Sequence, residues 1–594
     1  MKKLFAILLA VTLLTGCTEP VVEGSGGGLS IFSGETESTR PVSAGEPGKL
    51  AELNLDDLFS DRDKKTEYEP DGTITLQGST AESDAENVTI SGSTITITGE
   101  GVFEVSGALD DGMIIVDAKK EKVQLVLKNA RITSADCAPV YVKQADKVFL
   151  TLVGENRLEN GGTLRAVDGN DIDAAVYARD DLTINGTGSL EVVSPVGHGI
   201  SGKDELTITG GNITVESANH ALDANDSIAI CGGSFVLRSG KDGIHAENND
   251  DAALGFVYIE TGSFAIEAQG DGISAGAVMQ LDGGSYDILC GGGAVNGKKQ
   301  TSDGWGGMGG RPGGPGGFGQ QNTKEDSASI KGIKAGGELV VGGGSFTIDS
   351  ADDAVHSNAD VTVCGGSFVI ATGDDGFHAD EALTICAGKI EISESYEGLE
   401  GNSVTVSGGD VKLVASDDGI NAAGGADGSG FGGHRGGDMF GGRGGPGGMG
   451  GSSDSFIKIT GGTIYVQASG DGIDANGTLE ITGGETTVCG PTRGDTAVLD
   501  FDISGTITGG SFIGTGSQMM AQTFSQSQQG VIALNVGNQA AGTAITVKDG
   551  KGNVLVAYTP VLDYAIAILS TPDMVKGETY TVTVGSQSGE FEAG

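Results

Sequence analysis

The stretch VTVCGGSFVIATGDDGFHAD, residues 361–380, decides the fold. It contains a strand of alternating apolar residues, a Gly-Gly turn, a second strand, and an acidic turn that leads into a third short strand. The unit recurs as LTITGGNITVESANHALDAN (206–225), IAICGGSFVLRSGKDGIHAE (228–247), VTVSGGDVKLVASDDGINA (404–422) and IKITGGTIYVQASGDGIDAN (457–476). Period-two alternation, β-branched residues and regular glycine turns predict strands throughout, with no helical run after the N-terminal leader.

The repeat length is about 22 residues, because the residues that open successive acidic turns are 22 apart at His198, His220 and Asp242. Three strands in such a unit predict an all-β fold, a right-handed parallel β-helix whose coils stack about 4.8 Å apart. A propeller is the competing all-β fold, but its blades need about 40 residues or more. We expect the solenoid over residues 70–515 and a small β-sandwich-like cap over 516–594, which would cover the open end of the core.

Two recurrent residue types belong to this repeat. Aromatic residues follow the Gly-Gly turn at Phe235, Phe264, Tyr286, Phe346, Phe368 and Phe512. We expect them to stack inside the core, and the alternative is a platform for sugar rings. Six cysteines beyond Cys17 show no metal-type spacing and are expected to be buried packing residues. Cys364 and Cys386 would be adjacent, but parallel Cβ vectors suit a disulfide badly.

The N-terminus has the order of a secretory signal. Two lysines precede a short apolar run, and Leu14-Thr15-Gly16-Cys17 follows. The tetrapeptide is similar to the lipobox of bacterial lipoproteins, which implies cleavage before Cys17 and a lipid on its sulfur. An ordinary signal peptide is the alternative. We therefore predict residues 1–17 as signal and lipobox, residues 18–69 as a disordered tether, and a location on the extracellular face of the cell membrane.

The charge restricts the partners. The chain carries 81 acidic against 35 basic side chains, a formal net charge of -46. A field of this sign repels nucleic acid and anionic lipid surfaces, so cations are the natural counter-ligands. We expect contact with a membrane only through the lipid anchor, and we expect a monomer.

Two Gly-rich insertions interrupt the repeat, at 294–328 and 423–453. Both lack strand patterning, and we expect flexible loops that leave the solenoid at turns. Their Arg, Trp, Phe and Met side chains leave an adhesive role open, and a solvated low-complexity loop is the alternative.

The acidic turn is the candidate chemical site. It recurs in KDGIHAE (241–247), DDAVHSN (352–358), DDGFHAD (374–380) and GDGIDAN (470–476). We expect its apolar residue to point inward and its polar residues to point out, so that stacked coils align carboxylates, which repel one another unless they are neutralised. Oxygen ligands at this density suit Ca²⁺. The predicted calcium ligands are Asp352, Asp353, Asp374, Asp375, Asp380, Glu397, Asp417, Asp418, Asp242, Asp271 and Asp471.

Two alternatives to calcium stay open for these turns. The aspartates could simply cap turns and keep the surface soluble. Zinc is a less favoured alternative. His245, His356 and His378 suggest it, but no thiolate accompanies these histidines.

One coil breaks the acidic pattern. In KGIKA, Lys331 takes the place of an acid and Lys334 the place of a histidine. We expect Lys331, Lys334, His356 and His378 to contact an anionic sugar such as a uronate beside the calcium cluster. The alternative is that the two lysines only neutralise the acidic ladder.

These strands, the DDGIHA-like and KGIKA turns, the Gly-rich insertions, the lipobox and the C-terminal TYTVTVG segment together resemble the bacterial calcium-binding parallel β-helix carbohydrate-binding domain family over roughly residues 70–594. The resemblance implies calcium between coils, binding of plant cell-wall polysaccharides including pectate and cellulose, and kinship with polysaccharide lyases. It carries over to the DDG turns and to Lys331 and Lys334. Two turns depart from it, with Tyr396 and Glu397 replacing the Asp pair and His220 at an acid position.

Three classes of function follow. The first is a surface-tethered, calcium-dependent binder of acidic polysaccharide without catalysis. The second is a calcium-dependent pectate lyase in which Lys331 abstracts a proton, although neighbouring carboxylates raise the pKa of a lysine and oppose that role. The third is a structural adhesin that binds proteins.

Overall fold

The computed structural model describes residues 55, 58–249, 253–297, 329–422, 455–492 and 496–594. The predicted signal with Cys17, residues 298–328 of the first insertion and the whole second insertion at 423–453 lie outside the described residues, as does most of the predicted tether. Within the described ranges, no helix has the length and apolar character needed to cross a membrane.

Strands are the main regular structure of the described residues. A short helix, α1, spans Asp61–Lys64, and a 3₁₀ turn spans Ala294–Asn296. The N-terminal strands are β1 (Gly72–Gly78), β2 (Ala81–Ser83), β3 (Val88–Ser91), β4 (Thr94–Ile97), β5 (Gly101–Leu109), β6 (Met113–Asp117), β7 (Lys122–Ser134), β8 (Val140–Gln144), β9 (Lys147–Val153), β10 (Glu155–Asn160), β11 (Ala174–Ala178), β12 (Asp181–Gly186) and β13 (Ser189–Ser194). The central strands are β14 (His198–Gly202), β15 (Glu205–Ile208), β16 (Asn212–Ser217), β17 (Leu222–Ala224), β18 (Ser227–Ile230), β19 (Ser234–Ser239), β20 (Ile244–Ala246), β21 (Phe256–Ile259), β22 (Ser263–Ala268), β23 (Ile273–Ala275), β24 (Met279–Leu281), β25 (Ser285–Cys290), β26 (Ile333–Ala335), β27 (Leu339–Val341), β28 (Ser345–Ser350) and β29 (Val355–Ser357).

The remaining strands complete the solenoid and form the C-terminal region. They are β30 (Val361–Thr372), β31 (Phe377–Glu394), β32 (Leu399–Val406), β33 (Asp410–Ala415), β34 (Ile420–Ala422), β35 (Phe456–Ile459), β36 (Thr463–Ala468), β37 (Ile473–Ala475), β38 (Thr478–Ile481), β39 (Glu485–Cys489), β40 (Leu499–Phe501), β41 (Ser504–Ile507), β42 (Ser511–Gly516), β43 (Gln526–Ser527), β44 (Val531–Gln539), β45 (Ile545–Lys548), β46 (Val554–Tyr558), β47 (Tyr564–Ser570), β48 (Thr579–Val584) and β49 (Gln587–Glu592).

Strands from successive repeats pair in parallel. Val341 pairs with Val363, Ile348 with Ile370, and Val355 with Phe377, so each repeat adds one strand to each of three parallel ladders. The prediction of an all-β solenoid of many parallel strands is therefore confirmed. The Gly-Gly turn joins two of these ladders, and its second glycine takes a left-handed conformation, with φ of 90° at Gly366, that a side chain would strain.

Aromatic residues form a stack inside the solenoid. Phe235, Phe264, Tyr286, Phe346 and Phe368 are buried, and their ring centroids lie 4.5 to 4.9 Å apart with nearly parallel planes. The prediction of an interior stack is confirmed for these five rings. Phe512 is also buried, but it contacts Phe524 edge-on instead.

Residues 58–65, which we call the N-terminal strap, pack on the outside of the ladder that contains β9, β12, β15, β18 and β21. Phe59 contacts Tyr258, with ring centroids 6.0 Å apart. Asp63 is buried, with its carboxylate 2.9 Å from Lys147 Nζ and 2.6 Å from Thr183 Oγ1. The predicted disordered tether therefore ends before residue 69, because this short segment finds both apolar and charged partners on the solenoid.

The C-terminal strands change from parallel to antiparallel pairing. β47 pairs antiparallel with β42, the last strand of its parallel ladder, and with β44. A separate antiparallel sheet follows in the order β46-β45-β48-β49. Its apolar side packs on a second core that includes Ile545, Val547, Leu569 and Tyr580.

The cysteines differ from the prediction at one pair. Cys137, Cys290 and Cys489 are buried as expected, and Cys231 is half-buried. Cys364 and Cys386, however, form a disulfide between neighbouring coils, with Cα atoms 4.8 Å apart. The expectation that parallel Cβ vectors would disfavour this bond is wrong, because the register shifts here and Cys364 pairs with Ala387 rather than with Cys386.

Candidate functional site

The acidic turns stack into one column, which we call the turn ladder. Each turn contains one apolar residue that points inward. We call the residue two places before this apolar residue the acid position. We call the residue directly after the apolar residue the second position. Residues of the second position pair with one another from coil to coil; in order they are Ser201, Asp223, His245, Ser274, Lys334, His356, His378, Glu400, Asn421, Asp474 and Asp500. The acid positions are His198, His220, Asp242, Asp271, Lys331, Asp353, Asp375, Glu397, Asp418 and Asp471.

At the acid position, one carboxylate oxygen holds the next coil. The backbone N–H of Asp375 donates to Asp353 Oδ1 at 3.1 Å, and the N–H of Glu397 donates to Asp375 Oδ1 at 3.1 Å. Asp271 Oδ1 accepts the N–H of Lys331 at 2.7 Å in the same way. An aspartate recurs here because its short side chain satisfies a backbone donor that the turn leaves without a strand partner. Its second oxygen remains available for a cation.

The two lysines are buried inside this ladder. Lys331 Nζ lies 2.5 Å from Asp353 Oδ2 and 3.3 Å from Asp352 Oδ2. Lys334 Nζ donates to Ser329 Oγ at 3.0 Å and lies 4.0 Å from Asp271 Oδ2. The exposed fraction of Lys331 is 0% and that of Lys334 is 3%. Both lysines lie beside buried carboxylates, which is the arrangement that the alternative interpretation describes, and their contact with a sugar stays a prediction.

The predicted sugar-contacting histidines are buried as well. His356 Nδ1 lies 2.9 Å from Asp353 Oδ2, and His378 Nδ1 lies 3.2 Å from Asp375 Oδ2 and 2.6 Å from Glu400 Oε2. Burial alone would raise the pKa of Asp353, but Lys331 and His356 hold it well below its usual range. Burial would lower the pKa of His378, but Glu400 and Asp375 raise it well above its usual range. These turns therefore form a buried network of opposite charges.

We call the turns from Asp271 to Glu400 the paired turns, since a lysine or a histidine accompanies the carboxylates there. Toward the C-terminal end of the paired turns, fewer cationic side chains accompany the carboxylates. Burial and Glu400 raise the pKa of Asp375 well above its usual range, and burial, Glu400 and Asp418 do the same for Glu397. One histidine, His378, is the partner of three carboxylates here. Besides Asp375 and Glu400, Asp380 Oδ1 lies 3.2 Å from His378 Nε2.

The last turns of the ladder are different. Asp417, Asp418, Asp471 and Asp474, which we call the C-terminal acidic cluster, are all half-buried. Among the described residues, no lysine, arginine or histidine forms an ion pair with Asp417, Asp418 or Asp474. Burial and the carboxylates of Asp471 and Asp417 raise the pKa of Asp418 to about 8, and burial with Asp471 and Asp500 raises the pKa of Asp474 to about 7.

A small cradle lies inside this cluster. Gly470 occupies the place that Asp417 occupies one coil below, and a Cβ at Gly470 would overlap Asp418 Oδ1 and lie 2.5 Å from Asp417 Oδ1. Two carboxylate oxygens thus lie beside the α-carbon of Gly470, where a side chain would not fit. Half-buried oxygens without a described cationic partner fit a hard cation such as Ca²⁺, which takes 6–8 oxygen ligands.

The other predicted calcium ligands fit Ca²⁺ less well. Oxygens of Asp352, Asp353 and Asp374 lie within 4.8 Å of one another, but the Lys331 ammonium already stands beside two of them. Asp271 contacts Lys334, and Asp375 and Asp380 contact His378. Asp242 lies between two imidazoles, 3.3 Å from His220 Nδ1 and 4.0 Å from His245 Nε2. Glu397 accepts a hydrogen bond from Asn421 at 2.9 Å.

The sequence interpretation missed the second position as a charged column. Asp223, Glu400 and Asp474 all lie there, and each contributes to the electrostatics of a neighbouring turn. The signal was present, since each follows the inward apolar residue of its repeat in LDA, LEG and IDA. This charged column becomes visible only when residues are aligned by the coil-to-coil register, because the DDG motif does not include the second position.

Comparisons with known proteins find similarity to carbohydrate-binding domain-containing proteins. A carbohydrate-binding domain-containing protein of Acetivibrio thermocellus is 38% identical over 137 residues, which are 22% of this chain and 48% of the relative. This chain thus spans about half the length of the curated relative that it matches. A solved structure, the gadolinium derivative of the polysaccharide lyase-like protein from C. thermocellum, is 34% identical and covers 36% of this chain and 88% of that one, with a TM-score of 0.34. Residues 91–376, slightly less than half of the chain, match the family model of carbohydrate-binding domain-containing proteins.

Proposed function

We propose that this protein is a non-catalytic, calcium-dependent binder of acidic polysaccharide. The family match over residues 91–376 supports the carbohydrate part of the proposal. The calcium part rests on one observation, the half-buried carboxylates of the C-terminal acidic cluster, whose oxygens converge beside Gly470.

The charge of the chain explains why calcium would be needed. A net charge of -46 repels a polyuronate such as pectate. Calcium ions held by Asp417, Asp418, Asp471 and Asp474 would reverse the sign locally and share their remaining coordination positions with uronate carboxylates. The half-buried position of the cluster supports this role, because bridging requires access from solvent.

Lysine-based lyase chemistry has less support. A base must reach the sugar and carry a lone pair, whereas Lys331 is buried and its ammonium is ion-paired with Asp353 at 2.5 Å. Proximity to a carboxylate stabilises the protonated lysine. We therefore assign Lys331 a role in holding the turn ladder together.

We also place the protein, as a monomer, at the extracellular face of the cell membrane, attached through Cys17. The order Lys2, Lys3, apolar run and Leu14-Thr15-Gly16-Cys17 supports this location. Changing Cys17→Ala should release the protein from the membrane fraction or leave it unprocessed. Equal membrane retention of the two forms would contradict the anchor.

The test of the main proposal is retention on immobilised polygalacturonate, with excess Ca²⁺ and with chelator. The double variant Asp418→Asn with Asp474→Asn should lose about an order of magnitude in affinity, equivalent to ~1.4 kcal/mol. Asp410→Asn is the matched control, because this exposed aspartate lies in the same coil and also removes one charge. Absorbance of unsaturated products should not rise in any sample. Binding that is equal with and without calcium would contradict the proposal, and product formation would favour the lyase.

A further inference from the structure

A second cluster in the turn ladder has a different donor chemistry. The imidazoles of His198, His220 and His245 come from three successive coils and stack with ring centroids 5.0 and 4.1 Å apart. Two carboxylates, Asp223 and Asp242, lie along their edges. Within the described part of the chain, every ion pair of these two carboxylates is with a histidine.

The donor atoms are close enough to share an ion. One nitrogen each from His220 and His245 and one oxygen from Asp242 all lie within 4.8 Å of one another. His220 Nδ1 is 3.3 Å from Asp242 Oδ2, and His245 Nε2 is 4.0 Å from the same oxygen. Ligand atoms around a tetrahedral Zn²⁺ lie about 3.4 Å apart, given bonds of about 2.0–2.1 Å. A contraction of about half an ångström would bring His245 Nε2 to this separation from Asp242 Oδ2.

Asp223 orients one of these ligands. His245 Nδ1 lies 3.1 Å from Asp223 Oδ1 and its Nε2 is on the side of Asp242, so a proton on Nδ1 would leave Nε2 to bind an ion. A carboxylate behind the distal nitrogen of a ligating histidine is the usual arrangement of protein metal sites. The hydrogen bond that His220 Nδ1 accepts from the Asp242 N–H, at 3.2 Å, is the contact that a metal would replace.

His198 adds a further nitrogen at the edge of the cluster. Its Nδ1 is buried and has no hydrogen-bond partner among the described residues, with Asp223 Oδ2 at 3.8 Å. The cluster is reachable, because the side chains of His220 and Asp242 keep 11% and 14% of their surface exposed.

We propose that His220, His245 and Asp242 bind a transition-metal ion of the Zn²⁺ class, with Asp223 as the positioning residue for His245. Imidazole nitrogen favours Zn²⁺, Co²⁺ and Ni²⁺ over Ca²⁺, which prefers oxygen. The other histidine pair, His356 and His378, is less suited, because the Lys331 ammonium contacts Asp353 beside it. The site is separate from the C-terminal acidic cluster and independent of the polysaccharide proposal.

The test uses the full chain in excess Ca²⁺, so that oxygen-only sites are filled, and Co²⁺ as a spectroscopic probe. The wild type should bind one Co²⁺ with the visible absorption of a nitrogen- and oxygen-ligated ion, and Zn²⁺ should displace it. His245→Gln should abolish this signal. Asp223→Asn should weaken Co²⁺ binding roughly 10–100-fold, as expected for a residue behind a ligand.

His378→Gln is the matched control, since it removes an equally buried imidazole from the paired turns. It should leave the Co²⁺ signal unchanged, and a melting curve of each variant shows whether it is folded. Failure of the wild type to bind Co²⁺ stoichiometrically would overturn the proposal without recourse to any variant. A signal that survives in His245→Gln and disappears in His378→Gln would overturn the assignment to these residues.

Discussion

The turns DDAVHSN at 352–358 and GDGIDAN at 470–476 share a motif and a place in the solenoid, yet their charges are balanced differently. In the first, Asp353 lies against the ammonium of Lys331 and the imidazole of His356. In the second, Asp474 faces Asp471, Asp500 and Asp502, which together with burial raise its pKa to about 7. The first turn is neutralised by the chain itself, whereas in the second no cationic side chain among the described residues forms an ion pair with Asp474.

This difference separates two roles of the repeated aspartate. One oxygen accepts an N–H from the next coil in both regions, as Asp353 does from Asp375 and Asp418 does from Asp471 at 2.5 Å. That bond explains why the acid recurs. What varies is the partner of the second oxygen, which an adjacent acid position or second position supplies, as Lys331 and His356 do for Asp353. The acidic motif alone therefore does not distinguish a structural turn from a candidate metal site.

The largest expected effect comes from breaking the paired turns at Lys331. Lys331→Met leaves Asp353 buried without its cation, and the free energy of unfolding should fall by about 3–5 kcal/mol, as for other buried pairs that lose one partner. Thermal melting of this variant and of Lys389→Met, an exposed lysine in β31, provides the measurement. Added Ca²⁺ should recover part of the loss, because Asp352, Asp353 and Asp374 then resemble the C-terminal acidic cluster. A melting temperature equal to that of the control would show that the pair contributes nothing to stability.

The second effect is calcium-dependent stability of the C-terminal acidic cluster. Calcium that binds only the native state at 100 times its dissociation constant should add about 2.7 kcal/mol to the free energy of unfolding. Asp418→Asn combined with Asp474→Asn should remove this gain and, in chelator, should be at least as stable as the wild type, because like charges are gone. Calorimetry of the double variant, with Asp410→Asn as the control, measures the calcium response and the stability in chelator. A double variant that keeps the full calcium response would place the ion elsewhere.

The third effect is a pH dependence that appears only in chelator. A folded-state pKa of about 8 at Asp418 exceeds the unfolded value, so the native state binds more protons between roughly pH 4 and 8. Stability should therefore fall as pH rises through this window, by at most about 1.4 kcal/mol per pH unit for one such group. Excess Ca²⁺, which binds the ionised form, should flatten the curve. Melting temperatures that rise with pH in chelator would contradict the assigned electrostatics.

The smallest effect concerns the N-terminal strap. Burial raises the pKa of Asp63, but hydrogen bonds from Ser60, Thr183 and Lys147 lower it below its usual value. The stabilisation by ionised Asp63 is thus fully present above the pKa that Asp63 has in the unfolded chain. It is lost as pH falls through the pKa that Asp63 has in the folded protein. Asp63→Asn should cost about 1 kcal/mol and speed tryptic cleavage at Arg62 and Lys64. Asp61→Asn, an exposed neighbour in α1, should cleave like the wild type; equal rates for both variants would show that the strap is held by Phe59 alone.

Much of the fold was readable from local pattern. Alternating residues and Gly-Gly turns predicted parallel strands, and the aromatic residues after the turn were correctly expected inside, because a repeat places equivalent residues in one column. The strap escaped this reasoning, since residues 58–65 contain no repeat and their partners Lys147, Thr183 and Tyr258 lie far along the chain. The disulfide between Cys364 and Cys386 was missed because the repeat predicts aligned Cβ vectors, whereas a register shift pairs Cys364 with Ala387.

The sequence by itself determined that the chain is a stack of strand repeats with a column of acidic turns, because period, glycine turns and apolar alternation are local properties. Only the tertiary structure decided which acids are neutralised. Lys331 and Asp353, or His245 and Asp223, are each 22 residues apart and meet only because successive coils stack. The charge of a buried side chain depends on such neighbours and on its access to water, and neither is encoded in the motif that surrounds it.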